Sequence, residues 1–192
     1  MNGPERFGYY EFFAGGGLTR QGLGEKWRCL MANEICEKKA RAYRLNFGAS
    51  PELAVKDVAL LTPGDLPPKA ILAWASFPCQ DLSLAGNREG LNAGRSGTFW
   101  PFWNLMDALG KSKRPVPIVV LENVAGALTS HKGRDFRAIM GALEESGCRF
   151  GAMVMDAVRF VPQSRPRLFI VAARGGEIPG GLLMDGPGGA WC

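Results

Sequence analysis

Short, almost wholly apolar runs alternate along this chain with stretches whose apolar residues recur at helical spacing, and this alternation limits its fold more than any other feature. The runs "AILAWAS" (70–76) and "PIVVL" (117–121) carry hardly a polar residue, as expected of strands covered on both faces. Between them "TFWPFWNLMDALG" (98–110) reads as a helix, with Pro101 acceptable only in its first turn.

The same alternation starts earlier and runs on later. "YYEFF" (9–13) reads as a buried strand ended by the turn "AGGG", and "LTRQGLG" as a brief helix closed by Gly24. "RCLMAN" (28–33) is a second strand, and "EICEKKARAYRLNFG" (34–48) an amphipathic helix with Gly48 just past its end. A weak third strand precedes Asp57. After "PIVVLENV", the pattern "DFRAIMGALEESG" (135–147) is a helix with Asp135 as its cap and Gly147 at its end. "RFGAMVMDAV" and "RLFIVAA" are two late strands joined by "RFVPQSRP". Such a series implies an α/β fold, a mostly parallel sheet with helices on both faces, whose ligands bind beyond the carboxyl ends of the strands.

At 192 residues the chain suits one domain. Residues 1–174 are expected to form it, with the glycine-rich stretch 175–192 a linker-like tail. No apolar run approaches the roughly 20 residues of a membrane helix, and the start lacks a secretory pattern, so a cytoplasmic protein without membrane contact is expected. Cys29, Cys36, Cys79, Cys148 and Cys192 contain no C-x-x-C pair, and His131 is the one histidine. Neither a disulfide framework nor a metal site is expected. The formal net charge of +5 is compatible with a polyanionic partner.

Functional residues should then sit just after strands. In "FAGGG", Phe13, Gly15 and Gly17 lie between strand and helix, where glycines let a nucleotide-like cofactor approach the main chain beside a helix N-terminus. A tight connection without a ligand reads the same way. Glu34 follows the second strand at the separation from the glycines at which a carboxylate grips ribose hydroxyls, although a charge favouring the helix dipole would also stand there. Asp57 could reach the same crevice or be a solvated loop residue.

Cys79 follows a buried strand behind Pro78, where nearby positive groups can favour the thiolate, whereas most free cysteines are buried and inert. It is the best nucleophile in the chain. Glu122, after an apolar run, should be partly desolvated, which suits it to proton donation or to a structural bond at the strand end. In "QSRPR", Gln163, Arg165 and Arg167 could hold phosphates or a polarised carbonyl, or be simply solvated.

Taken together and in this order, "FAGGG", "NE", "DV", "PCQ" with "S-x-A-G-x-R-x-G" downstream, "ENV" and "Q-S-R-P-R" resemble the cytosine-5 DNA methyltransferases. The resemblance implies a Rossmann-like fold, S-adenosylmethionine as cofactor and double-stranded DNA as substrate, in the manner of bacterial restriction-modification enzymes. It implies that Cys79 attacks carbon 6 of a flipped cytosine, Glu122 contacts ring nitrogen 3 and the exocyclic amine, Arg165 steadies the adduct and Asn123 holds the cysteine loop. Phe13, Gly15 and Gly17 would surround the methionine part of the cofactor, Glu34 the ribose, Ile35 the adenine face, and Asp57 with Val58 the adenine edge. Gln80, Ser83, Arg88, Arg95, Gln163 and Arg167 would meet nucleic acid.

This chain has Glu11 where the family has aspartate at the start of its first motif. The resemblance also leads one to expect a target-recognition region and a returning segment after "RLFIVAA". Their absence from the sequence implies a truncated or split enzyme, the latter with a second chain supplying recognition. A remnant that binds cofactor without turnover, a methyltransferase acting on cytosine in transfer RNA, and a glycine-turn dehydrogenase are the competing readings.

Overall fold

A computed structural model describes residues 6–78 and 97–175. Its strands are β1 (Phe7–Phe12), β2 (Trp27–Asn33), β3 (Leu53–Ala54), β4 (Ala70–Ala75), β5 (Ile118–Val124), β6 (Cys148–Asp156) and β7 (Pro166–Arg174). Its helices are α1 (Leu18–Leu23), α2 (Glu37–Phe47), α3 (Phe99–Lys111) and α4 (Arg134–Glu145), with short 3-10 turns between. The strands form one sheet in the order β3-β2-β1-β4-β5-β7-β6. The first five strands of that order are parallel, while β7 runs antiparallel to both β5 and β6. Each parallel step is bridged by a helix or longer crossover, as parallel strands require, and the late antiparallel pair needs only a short connection.

Alternation along each strand divides the core in two. Tyr10 and Phe12 of β1, Ala73 and Ala75 of β4, and Leu121 of β5 point to the face covered by α3 and α4. There α3 buries Phe99, Trp100, Phe102, Trp103, Leu105, Met106 and Leu109, an apolar stripe wide enough to explain why this segment is a buried helix. Phe102 meets Phe12 edge-on at 4.9 Å between ring centroids, an arrangement aromatic quadrupoles favour. On the other face Tyr9, Leu72 and Val120 pack with Trp27, Cys29, Trp74 and Phe169. Pro101 falls in the first turn of α3, where its missing N–H costs nothing.

One expected cap differs. The residue before α4 is Gly133, with φ +75°, and Asp135 lies inside the first helical turn, fully buried. Its carboxylate accepts from the Ser130 hydroxyl at 2.5 Å and is paired with His131 Nδ1 at 2.7 Å. Asp135 therefore holds the preceding turn rather than capping the helix. Among the described residues no helix is long and apolar enough to cross a membrane, and no group of three His, Cys, Asp or Glu residues could hold a metal ion.

Candidate functional site

The chain order reverses between β1 and β4, each sent to a different side of the sheet centre, which opens a crevice beyond their carboxyl ends. The glycine turn enters this crevice straight from β1. Phe13 and Gly15 both have left-handed backbones, with φ +58° and +57°, and the turn is tied down where Ala14 N–H donates to the Asn33 carbonyl at 2.9 Å. Glu34 is 4% exposed. Its two oxygens accept from the backbone N–H groups of Gly15, at 2.9 Å, and Cys36, at 2.8 Å. A single carboxylate thus joins the end of β2 to the glycine turn.

The two glycines named from the sequence do different things. A Cβ on Gly15 would meet nothing within 4 Å, so its bare backbone faces open space that a ligand can occupy. A Cβ on Gly17 would lie 2.2 Å from a Phe47 ring carbon, so there the missing side chain admits α2. Ile35 is 62% exposed. Asp57 is exposed and accepts from Ala59 N–H at 2.9 Å, capping the 3-10 turn Val58–Leu60. The Val58 side chain is turned into the core.

Across the crevice, Glu122 of β5 is paired through Oε1 with Nε of Arg167 in β7 at 3.0 Å. Next to it Asn123 is buried; its Nδ2 donates to the Phe77 carbonyl at 3.0 Å, and its Oδ1 accepts from Val124 N–H at 2.8 Å. Asn123 therefore anchors the backbone two residues before Cys79. Cys79 itself, with Gln80, Ser83, Arg88 and Arg95, lies outside the described residues, as does the tail from residue 176 onward.

Arg165 is exposed, and its position is set by Asp156, a residue the sequence reading passed over. The Asp156 carboxylate accepts from Val158 N–H at 3.1 Å, Arg165 N–H at 2.6 Å and the Ser164 hydroxyl at 2.8 Å. Those bonds, led by the Val158 and Arg165 N–H groups, hold its carboxyl below the usual range. An Asp two residues ahead of a free N–H is the local signal for such a turn. Gln163 lies in the same turn and is exposed.

A cavity of about 880 Å³ brings the two sides together. Phe13, Gly15 and Gly16 line it from the glycine turn, Trp74 and Ser76 from the end of β4, and Glu122 and Arg165 from the far side. Glu34, Ile35 and Asp57 stand outside this lining, on the β2 side of the turn. Of the thiols described, Cys148 is buried, and burial pushes that of Cys29 up to about 11, which keeps it protonated and poorly nucleophilic.

Comparison with known proteins gives a consistent picture. The family model for C-5 cytosine-specific DNA methylase matches residues 7–180. The chain is 34% identical over 165 residues to the type II methyltransferase M.BsuFI of Bacillus subtilis, covering 85% of this chain and 38% of that protein. It is 35% identical over 164 residues to M.NgoBI of Neisseria gonorrhoeae, covering 84% and 49%. The chain thus spans less than half the length of these two relatives. In fold it is similar to the Dnmt2 methyltransferase of S. pombe, with a TM-score of 0.71 at 21% identity, over 91% of this chain and 53% of that one.

Proposed function

The chain belongs to the C-5 cytosine-specific DNA methylase family, and we propose that it is the catalytic portion of an enzyme that transfers a methyl group from S-adenosylmethionine to carbon 5 of cytosine in DNA. The observation that carries this reading is the shared cavity, in which the open backbone of Gly15 faces Glu122 and Arg165 across one space.

The residues present fit the cofactor. The space over Gly15 is a cradle that a side chain would fill, and Glu34 holds the turn that forms it. Phe13, Gly15 and Gly16 border the methionine part, while Glu34, Ile35, Asp57 and the Val58 main chain form the nucleoside side. When bound, S-adenosylmethionine supplies an electrophilic methyl group.

The chemistry falls to this chain's own groups. The Cys79 thiolate adds to carbon 6 of the cytosine, forming a carbon–sulfur bond and moving a pair of ring electrons toward nitrogen 3. Glu122, oriented by Arg167, meets nitrogen 3 and the exocyclic amine, where that charge develops. Carbon 5 becomes nucleophilic and would take the methyl group as its bond to the sulfonium sulfur breaks, leaving the thioether. Its proton then leaves to a base, the carbon–sulfur bond breaks, and the aromatic ring and free thiol return. Asn123, bonded to the Phe77 carbonyl, keeps the strand end that carries Cys79 in register. Arg165 steadies the adduct from the cavity wall.

The base must leave the duplex to enter the cavity, at a cost of a few kcal/mol that contacts to DNA offset. Gln80, Ser83, Arg88, Arg95 and Gln163 are assigned to that contact, while Arg167, expected among them from the sequence, is assigned instead to orienting Glu122. A recognition region outside these 192 residues, on the same or a second chain, reads the sequence.

The test is transfer of labelled methyl to mixed-sequence duplex DNA, with transfer RNA in parallel and Cys79→Ser as control. Label on DNA that vanishes with Cys79→Ser is expected. Label on transfer RNA alone would move the substrate to RNA. Full transfer by Cys79→Ser would refute the covalent step, and failure of the chain to bind S-adenosylmethionine by calorimetry would refute the reading itself.

A further inference from the structure

The turn between β5 and α4 has an unusual backbone. His131 (φ +46°, ψ +42°) and Lys132 (φ +61°, ψ +37°) are two successive left-handed residues, and neither is glycine. Such a conformation is strained and persists only where surrounding contacts impose it, which happens chiefly at functional positions. Here the buried Asp135 carboxylate imposes it, by bonding Ser130 and His131 from within the first turn of α4. Lys132 is exposed at this turn.

What the strain achieves is a concentration of positive charge. Arg134 Nε donates to the His131 carbonyl at 3.0 Å, and Arg137 donates to the Lys132 carbonyl at 3.2 Å. Both guanidinium groups are thereby held against the turn that carries the exposed Lys132 and the half-exposed His131 ring. The one acidic side chain in 131–137, Asp135, is buried and engaged from below. The turn leaves the carboxyl end of β5, the strand of Glu122 and Asn123, so this cationic rim lies along the sheet edge on which the candidate site opens.

We propose that Lys132, Arg134 and Arg137, shaped by the Asp135–His131 clip, grip the phosphodiester backbone of duplex DNA beside the candidate active site. This rests on the reading of the chain as a DNA methyltransferase and adds to it an anchoring surface built from residues outside the cavity lining. Exposed lysine and arginine at such a rim position the duplex without reading its sequence.

The experiment measures binding of a mixed-sequence duplex to this chain by fluorescence anisotropy across a salt series, alongside S-adenosylmethionine binding by calorimetry and thermal melting. Lys132→Gly removes the charge and the backbone strain together. It is expected to melt no lower than the unaltered chain, yet to bind duplex several-fold more weakly, with the slope of log affinity against log salt shallower by about 0.9, one phosphate contact. Arg134→Gln should lower the slope by the same amount, Lys132→Arg should keep it, and all three should bind S-adenosylmethionine within about twofold of the unaltered chain. If Lys132→Gly and Arg134→Gln leave the slope unchanged while the unaltered chain binds duplex, the rim is not an anchor and the methyltransferase reading stands. If the unaltered chain binds cofactor but no duplex, the rim proposal falls together with the DNA substrate.

Discussion

Beneath α1 and at the carboxyl edge of the sheet, this protein treats its acids in opposite ways. Glu11 in β1 is 1% exposed among Tyr9, Cys29 and Tyr43, and burial pushes its carboxyl up to about 7 against the opposing influence of Thr19 and Arg20. Glu34 and Glu122, at strand ends, have dedicated partners instead: two backbone N–H groups for Glu34 and the Arg167 guanidinium for Glu122. The region beneath α1 tolerates an acid that is neutral for much of the pH range. The edge region fixes its acids in orientation. Burial alone does not make a functional carboxylate; the partner that faces it does.

The largest effect that would sharpen this contrast is at Glu122. Glu122→Gln is expected to lower methyl transfer by roughly 10²- to 10⁴-fold, in line with loss of a positioned acid–base group, while shifting the melting temperature little. A large loss of stability with retained transfer would make Glu122 a structural residue and erase the distinction.

Glu11 comes next. In the native state it binds its proton up to about 7, and in the unfolded state only up to about 4.5. Between those values the native protein holds more protons, so stability falls as pH rises and the penalty is complete above the upper value. Glu11→Gln should therefore be more stable than the unaltered chain at pH 8, by roughly 3 kcal/mol as an upper figure, with the difference gone by about pH 4.5. Denaturant unfolding at the two pH values checks this; an equal difference at both would show that Glu11 is not a neutral buried acid.

A smaller contrast separates the glycines. Gly17→Ala meets both a left-handed backbone and the Phe47 ring, and should destabilise by about 2 kcal/mol or more. Gly15→Ala has room around it and should destabilise by only about 1 kcal/mol, yet weaken S-adenosylmethionine binding. Equal effects on stability and binding at the two positions would dissolve the division between a packing glycine and a ligand-facing one. Smallest of all, Cys29→Ala removes a thiol that accepts a weak bond from the Tyr43 hydroxyl at 3.7 Å. It should cost about 1 kcal/mol and leave methyl transfer intact, as expected of an inert cysteine.

Much of the fold was legible in advance because buried strands and amphipathic helices have different periods. Every helix and strand read from the pattern is present within a few residues of its expected place. What escaped that reading turned on side-chain contacts that hydrophobic period does not encode. Asp135 stands where a cap is expected, but which residue precedes the helix depended on the left-handed turn before it, to which Asp135 is tied through Ser130 and His131. Arg165 and Arg167 look alike in "QSRPR", yet strand alternation and the antiparallel pairing of β7 with β5 place Arg167 against Glu122, while Asp156 holds the backbone of Arg165.

By itself the sequence determined the order of the elements, the glycine turn after β1 and the motifs at the strand ends, because these follow from local hydrophobic period and backbone freedom. Only the tertiary structure decided which glycine faces open space and which faces Phe47, which arginine orients Glu122, and which acid burial pushes up. Each of those choices is made by a side chain or backbone group brought close by the sheet, from a position that neighbouring sequence does not specify.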